Sequence, residues 1–270
     1  MDSIIEVVRC FENSNIIHVD GAINPINDIE IIELELIYAD LETVSKRRER
    51  VKKQLKADKS LAKEDQILER LEKTLNEGKS ARSIEFTKEE KEIIKGLHLL
   101  TLKPLMYVAN VDEETIQNPE SNENFKKVKK YAESQNAKVI PICVKLEEEI
   151  SELESEEEKK EFLEMMGLDK SGLDRLVIAS YDILGLMSYL TAGEVEVRAW
   201  TIRKGTKAPQ AAGKIHSDIE RGFIKAEIVS YDDLIKCGSM AKAREKGLIR
   251  MEGKEYTMKE GDIVDFKFNV

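Results

Sequence analysis

Long apolar runs, aromatic residues and paired cysteines are all scarce in this sequence of 270 residues. The longest candidate for an uncharged apolar stretch, 183–193, is much shorter than the roughly 20 residues that cross a bilayer, so we expect no membrane span. Aromatic residues make up only 6% of the chain, which argues against an all-β protein. Cys10, Cys143 and Cys237 lie far apart and lack metal-site or CxxC spacing, so we expect three free thiols.

Charged residues, by contrast, are abundant at 36%, with a formal net charge of −10. This composition predicts long, solvated helices. The charge is unevenly distributed, because residues 195–270 carry a balance of +3 and residues 1–194 a balance of −13. The first residues show neither the basic region nor the cleavage site of a signal peptide, so we expect a cytoplasmic protein.

The first part of the chain changes from strand to helix periodicity. The β-branched run 4–8 predicts a strand buried on both faces of a parallel sheet. After a turn-like stretch at 20–25, apolar residues spaced by three and four predict a long coiled-coil helix, interrupted only at Arg48. These residues are Leu34, Ile37, Leu41, Val44, Val51 and Leu55. A break at 58–60 precedes a second helical pattern ending before Gly78, so the two helices predict an antiparallel arm.

The middle of the chain predicts a βαβ unit, with strands at 104–109 and 138–143 around a helix at 122–135. Capping boxes at Thr87 with Glu90 and at Ser155 with Glu158 predict two further helix starts. Another helix begins at Ser171 and carries apolar residues as far as Leu186; we expect it and the Ser155 helix to pack on the sheet. From Val195 the pattern alternates, passes through a helix near 210–220 and continues with short strands, which predicts a small α+β module.

Asn110-Val111-Asp112-Glu113 lies where the first strand of the βαβ unit ends, at the sheet edge where α/β proteins bind ligands. An Asn carboxamide can donate to N7 of adenine and accept from its N6 amine. Guanine-binding proteins have an Asp at the fourth position, so the longer Glu113 predicts weak guanine preference. The alternative is that these residues only form a turn, as Asn and Asp after a strand often do.

Basic residues cluster in the first third of the C-terminal module and suggest a phosphate-binding face, although ordinary solvated charges explain them equally well. They are Arg198, Arg203, Lys204, Lys207, Lys214, Arg221 and Lys225. The single tryptophan, Trp200, lies among them and is either a stacking platform for a base or half-buried core. His18, His98 and His216 have no spacing that indicates a metal or catalytic site.

Several longer segments resemble the YchF family of Obg-like ATPases. They are 8–13, 18–21, 28–30, 39–42, 199–216, 222–227 and 265–270. The segment 199–216, with the sequence AWTIRKGTKAPQAAGKIH, resembles the start of that family's TGS domain. The resemblance covers essentially the whole chain.

The resemblance implies an α/β fold: a partial Ras-like P-loop nucleotide domain (1–30 and 101–192), interrupted by an antiparallel helical coiled-coil arm (31–100) and followed by a β-grasp TGS domain (193–270). It also implies ATP preference over GTP and a ribosome or ribosomal RNA partner, with no DNA or membrane partner expected. Asn110 and Glu113 match the family's altered base motif, and Val111 would contact the nucleotide through its backbone and side chain. Cys143 and Val144 match the loop supporting the base from the other side. Cys143 could instead be a redox switch, although a small buried hydrophobe is the commoner case.

One departure from the family is a missing phosphate-binding loop, G-x-x-x-x-G-K-[ST]. Gly78-Lys79-Ser80 is a false match, because Lys73 stands where the first glycine is required and a helix precedes it. The second metal-binding motif, an Asp with Gly three residues later at a strand end, is also missing; 169–172 and 182–185 have only its spacing. The chain is therefore expected to begin after both motifs and to leave an unpaired strand edge, with fast amide exchange at residues 4–10.

Without these motifs we assign no catalytic or metal-binding residue and predict no ATP hydrolysis by this chain alone. ATP binding is expected to be weak or absent, and Mg²⁺ only in the full-length family. The alternative function is an RNA- or ribosome-binding module without catalysis, acting through the arm and the TGS domain. Its candidate contacts are Arg203, Lys204, Lys207 and Lys214.

Overall fold

A computed structural model describes residues 2–13, 23–193 and 196–269. It divides the chain into two compact units, Met1–Ser180 and Tyr181–Val270. The segment 18–21, which contributed to the family resemblance, and Val195 lie outside the described residues. Within those residues, no helix combines the length and the apolar character needed to cross a membrane.

The first unit contains a small sheet and a set of helices. Its strands are β1 (Ile4–Arg9), β2 (Leu105–Asn110) and β3 (Lys138–Ile142). The helices are α1 (Pro25–Leu55), α2 (Ala62–Asn76), α3 (Lys88–Ile94), α4 (Glu123–Ser134), α5 (Val144–Ser151), α6 (Glu156–Met165) and α7 (Gly172–Ile183), the last ending three residues beyond the unit boundary. Both predicted capping boxes are present, with Glu90 N–H donating to Thr87 Oγ1 at 3.2 Å and Glu158 N–H to Ser155 Oγ at 3.1 Å.

The sheet is parallel, in the order β1-β2-β3, so the predicted βαβ unit is confirmed. β2 is central, and its residues from Leu105 to Ala109 are all buried. The prediction that the first strand is buried on both faces is wrong. Val8 is buried, but Ile5 and Val7 on the opposite face are 40% and 62% exposed, and among the described residues β1 pairs only with β2.

Helices α4 and α6 pack on this sheet, whereas α7 departs from the expectation. Phe125, Val128 and Ala132 of α4 join the buried core around β2, and Phe162 of α6 packs against it. α7 leaves Leu173, Val177 and Ile178 exposed, and it ends at Ile183 rather than running to Leu186. Gly185 follows with φ of +63°, a left-handed conformation that suits glycine and stops the helix.

The predicted helical arm is present as α1 and α2, but only half of the heptad residues of α1 are buried between the two helices. Ile37, Val44 and Val51 repeat every seven residues and are buried against Leu68 and Leu71 of α2. Residues of the alternate seam positions are less buried: Leu41 and Leu55 are partly buried and Leu34 is 42% exposed. The heptad therefore predicts the helices correctly and overstates how much of the seam is covered.

Arg48, which interrupts the heptad, binds the carboxylates of α2. Its guanidinium lies 2.6 Å from Glu72 and 3.4 Å from Asp65, and it also pairs with Glu69. A long, planar cation with several donors suits this arrangement. The polar residue in the seam thus links the two helices instead of weakening their contact.

Asp40 of α1 holds the segment that leads into β2. Only 2% exposed, its carboxylate accepts hydrogen bonds from Leu100 N–H at 2.7 Å and from Thr101 N–H and Oγ1–H at 2.8 and 2.6 Å. Thr101 Oγ1 in turn accepts from Ala81 N–H at 3.0 Å. A buried carboxylate is tolerated when its oxygens are hydrogen-bonded in this way. The network ties the arm to the chain just before the central strand.

The second unit is built on a mixed five-stranded sheet. Its strands are β4 (Leu186–Ala192), β5 (Val197–Arg203), β6 (Phe223–Ser230), β7 (Arg250–Glu252) and β8 (Asp262–Phe268). Its helices are α8 (Ala208–Ile215), α9 (Ser217–Arg221), α10 (Tyr231–Cys237) and α11 (Met240–Glu245). The strand order is β5-β4-β8-β6-β7, with β4 and β8 parallel and the other pairs antiparallel.

Sequence reasoning missed two features of this unit. It gave only strands after 220, yet α10 and α11 cover Val229 and Ile263 on one face of the sheet. It also assigned 186–192 to the nucleotide domain, whereas β4 of the five-stranded sheet occupies those residues. The sequence between Leu186 and Ala192 has no charge and reads equally well as the end of a buried helix, which explains the error.

Trp200 is half-buried at the edge of the second core. Its ring stacks beside that of the buried Tyr189 at 6.5 Å, and its Nε1–H donates to Thr191 Oγ1 at 2.9 Å. The Arg198 guanidinium lies 4.3 Å from the ring centre, a cation–π contact. These contacts support the interpretation of Trp200 as core rather than as a free stacking platform.

Candidate nucleotide-base site

Two loops meet at the carboxyl edge of the three-stranded sheet, one after β2 and one after β3. Three hydrogen bonds connect this edge. Val111 N–H donates to the Ile142 carbonyl at 2.9 Å, Val144 N–H donates to Asn110 Oδ1 at 3.1 Å, and Cys10 N–H donates to the Asn110 carbonyl at 2.8 Å. The parallel register thus brings together residues that lie more than 30 positions apart.

Asn110 ends β2 and is half-buried. Because its Oδ1 accepts from the Val144 amide, the carboxamide is oriented by the protein before any ligand binds. Nδ2 has no hydrogen-bond partner among the described residues, so it can donate to a ring nitrogen such as N7. Accepting from an exocyclic amine would have to use the second lone pair of Oδ1.

The two residues after Asn110, Val111 and Asp112, make contacts within the protein. Asp112 Oδ1 accepts from Thr115 N–H and Oγ1–H at 2.9 and 2.7 Å, which closes the loop. Val111 is 1% exposed within the core, so the predicted contact from its side chain is not available at the surface of this structure. Asp112 supports the loop in the way that the turn-forming alternative expected.

Glu113 pairs with Lys145 of α5, a residue that the sequence analysis did not identify as part of the site. The two side chains form an ion pair, with 37% of Glu113 and 69% of Lys145 exposed. The hydrogen bond and charge of Glu113 raise the pKa of Lys145. The residues are 32 positions apart, so no local pattern joins them. The only available signal was the position of Lys145 directly after the predicted base-supporting residues Cys143 and Val144.

Those two residues differ in accessibility. Val144 is 46% exposed, whereas Cys143 is buried at the start of α5. Burial raises the pKa of the Cys143 thiol and outweighs the amides of Leu146 and Lys145, which act in the opposite direction. A thiol of this kind is a poor nucleophile, which favours a packing role over a redox switch. The three cysteines are free, as expected, and all three are buried; burial raises the pKa of Cys10 to about 12.

The two sequence stretches that share part of a phosphate- or metal-binding motif lie at helix ends in the structure. Gly78 follows the end of α2, and Lys79 pairs with Glu77 at 3.0 Å, in agreement with a false match. Gly172 N–H donates to Glu147 at 2.6 Å within a helix start, so Asp169 to Gly172 is not a strand-end motif. Over the described ranges, no three His, Cys, Asp or Glu side chains are arranged to hold a metal ion.

A second polar cluster lies under α1, beside the sheet. Glu33 accepts from Tyr131 Oη–H at 3.1 Å and lies 3.6 Å from the Arg82 guanidinium. Burial, followed by the charge of Glu33, raises the pKa of Glu6 on β1 to about 7. The hydroxyl of Tyr107 on β2 is buried and has no partner among the described residues.

The predicted basic residues of the second unit do not form one free face. Lys204 pairs with Asp182 at 2.6 Å, and Lys207 pairs with Glu255. Arg203, at the end of β5, and Lys214, in the last turn of α8, are exposed and have no ion pair among the described residues. Two of the four candidates are therefore neutralised by carboxylates, and the other two lie on different elements.

Comparison with known proteins identifies the relatives of this chain. The protein-family model YchF-GTPase_C, described as a protein of unknown function (DUF933), matches residues 186–269. The chain is 55% identical over its whole length to "Ribosome-binding ATPase YchF" of Bacillus subtilis (strain 168), covering 74% of that protein. It is 45% identical to the protein of the same name from Escherichia coli O157:H7, again over its whole length and 73% of the relative.

Among solved structures, the Schizosaccharomyces pombe YchF GTPase superimposes with a TM-score of 0.81 at 39% identity, over 98% of this chain and 72% of that one. The α/β fold with a parallel three-stranded sheet, a long helical region and a C-terminal mixed sheet matches that structure. The chain belongs to the YchF family of ribosome-binding ATPases and corresponds to the C-terminal three quarters of its relatives. The printed names differ in the nucleotide, ATP in the bacterial relatives and GTP in the yeast structure.

Proposed function

We propose that the first unit recognises the adenine of ATP and that the second unit contributes to ribosome binding. In this proposal the sheet and its helices are part of a Ras-like nucleotide domain, α1 to α3 are an inserted arm, and the five-stranded sheet is a β-grasp TGS domain that begins before Leu186. The hydrogen bond between Asn110 and Val144 carries the proposal, because it orients a carboxamide across the two loops.

The residues at this edge fit a purine with adenine's pattern. Asn110 Nδ2 can donate to N7, and the Glu113 carboxylate can accept from the N6 amine. Val144 offers an exposed apolar side chain beside them. Guanine places a carbonyl where adenine has its amine, so the carboxylate disfavours it.

The same residues do not fit the triphosphate or Mg²⁺. Phosphoryl transfer depends on groups that position the phosphates and neutralise their charge, and these 270 residues contain no such loop. We therefore expect them, tested alone, to bind ATP weakly and to hydrolyse none. In the relatives named as ATPases, bound Mg²⁺ would supply charge neutralisation at the phosphates.

A second candidate function is ribosome or RNA binding without catalysis. Arg203 and Lys214 support it, because they are exposed cations with no ion pair among the described residues. The name of the bacterial relatives, which includes ribosome binding, also supports it. The two candidates are compatible, since one chain can bind a base in one unit and RNA in the other.

Two assays on the 270-residue chain test these functions. We expect no phosphate release from ATP above background, and co-sedimentation with ribosomes that weakens as salt rises. Arg203→Glu and Lys214→Glu should each weaken co-sedimentation more than Lys204→Glu or Lys207→Glu, whose wild-type lysines already pair with carboxylates. If none of the four variants changed co-sedimentation, these four residues would be excluded as ribosome contacts. Phosphate release abolished by Asn110→Ala would contradict the expectation of inactivity.

A further inference from the structure

We propose that Lys145 sets the base preference of this site by positioning the Glu113 carboxylate. The inference rests on the proposed adenine site and adds a residue that the base motif does not contain. Its basis is the ion pair between Lys145, on α5, and Glu113, in the loop after β2. Lys145 is a positioning residue, because it acts through Glu113.

Both partners of the ion pair stand on fixed backbone. Val144, directly before Lys145, donates its amide hydrogen to Asn110 Oδ1 at 3.1 Å. The loop carrying Glu113 is closed by the two hydrogen bonds from Thr115 to Asp112, at 2.9 and 2.7 Å. Lys145 and Glu113 are therefore held relative to each other and to the Asn110 carboxamide.

The surroundings of Lys145 favour this pairing over its alternative. Glu149, one turn later on α5, lies farther away at 3.9 Å. Exposed ion pairs contribute little to folding stability. We therefore expect Lys145 to affect the orientation of the Glu113 side chain and not the stability of the fold. Without the cation, a solvent-exposed glutamate samples many rotamers and is rarely in one place.

A fixed carboxylate distinguishes the two purines. With N7 facing Asn110 Nδ2, the next group along the base edge is a donor amine in adenine and an acceptor carbonyl in guanine. The carboxylate accepts from the amine and repels the carbonyl. A released Glu113 can turn away from guanine, so loss of Lys145 should lower the preference for adenine.

Adenosine and guanosine affinities, measured by NMR chemical-shift titration of the 270-residue chain, test this directly. Nucleosides are used because they carry no phosphates. We expect the wild type to prefer adenosine and Lys145→Met to reduce that preference about two- to fivefold, the most that an exposed ion pair can supply. Lys145→Arg should keep it, since the positive charge remains. Lys160→Met is the matched control. Lys160 lies on α6 and forms an exposed ion pair with Glu164, with 3.8 Å between the charged atoms.

The outcomes separate the inference from the function beneath it. A wild-type preference for adenosine that is unchanged in Lys145→Met overturns the role of Lys145 and leaves the base site intact. A wild type without preference overturns the base site and the inference with it. If Lys145 acts through Glu113, the double variant Glu113→Gln with Lys145→Met shows no smaller preference than Glu113→Gln alone. A further loss in the double variant would show direct contact with the base and contradict positioning.

Discussion

Replacing Asp40 by Ala should destabilise the first unit strongly. The carboxylate is 2% exposed and accepts three hydrogen bonds, two from backbone amides and one from the Thr101 hydroxyl. Ala removes all three acceptor contacts and leaves the half-buried Leu100 amide and both donors of Thr101, which is fully buried, without this acceptor. Each unsatisfied buried donor costs about 1–3 kcal/mol.

The three losses share one site and do not add fully, so we expect about 3–5 kcal/mol in total. That corresponds to a fall in melting temperature of about 10 °C for a unit of this size. Asp40→Asn keeps one acceptor oxygen, so its cost should be intermediate. Thr101→Val should also be destabilising, since the Ala81 amide loses its acceptor.

Urea unfolding followed by far-UV circular dichroism measures this effect, because most helical residues lie in the first unit. Glu35→Ala is the matched control: it makes the same kind of substitution on the exposed side of α1. If the free energies of unfolding of Asp40→Ala and Glu35→Ala differed by less than about 0.5 kcal/mol, the hydrogen-bond reasoning would be refuted.

Three further predictions concern charge and burial. Because the folded-state pKa of Glu6 is raised to about 7, the fold binds this proton more tightly than the unfolded chain, and stability falls as pH rises from about 4.5 to 7. Glu6→Gln should gain about 1 kcal/mol on wild type between pH 5 and 8 in urea unfolding, after discounting for partial exposure, and a difference that stays constant with pH would contradict this. Arg48→Met should cost about 1–2 kcal/mol in the same assay and less at high salt, whereas a variant as stable as wild type would show that the three carboxylate contacts contribute nothing. The buried cysteines, Cys10 above all, should react with a thiol reagent only after denaturation, and rapid labelling of the folded chain would be the contrary result.

The sequence predicts those elements whose signals are local. The heptad of α1, the capping boxes of α3 and α6, and the βαβ unit around β2 depend on neighbours within one or two turns or on a single strand, and the structure contains all of them. Burial was less predictable, because it depends on which element covers a face. Val7 has a core-strand pattern and is exposed, since nothing among the described residues packs on that side of β1.

The candidate site shows the same division. Asn110 and Glu113 are found from the motif that follows a strand, but Lys145 enters only through the parallel register of β2 and β3. The sequence marked Asp40 only as part of the segment 39–42 that resembles the family, and did not predict its hydrogen bonds, because its partner Thr101 lies 61 positions away. Long-range contacts of this kind leave no periodic signal in the chain.

The most direct examination of the adenine site is a residue-resolved map of nucleoside binding. Titrating adenosine into the 270-residue chain should shift the backbone amide resonances of 110–113 and 143–145, and Asn110→Ala should remove those shifts. Guanosine should shift the same amides only at much higher concentration. Equal responses to both nucleosides, or adenosine shifts confined to residues of the second unit, would contradict the account.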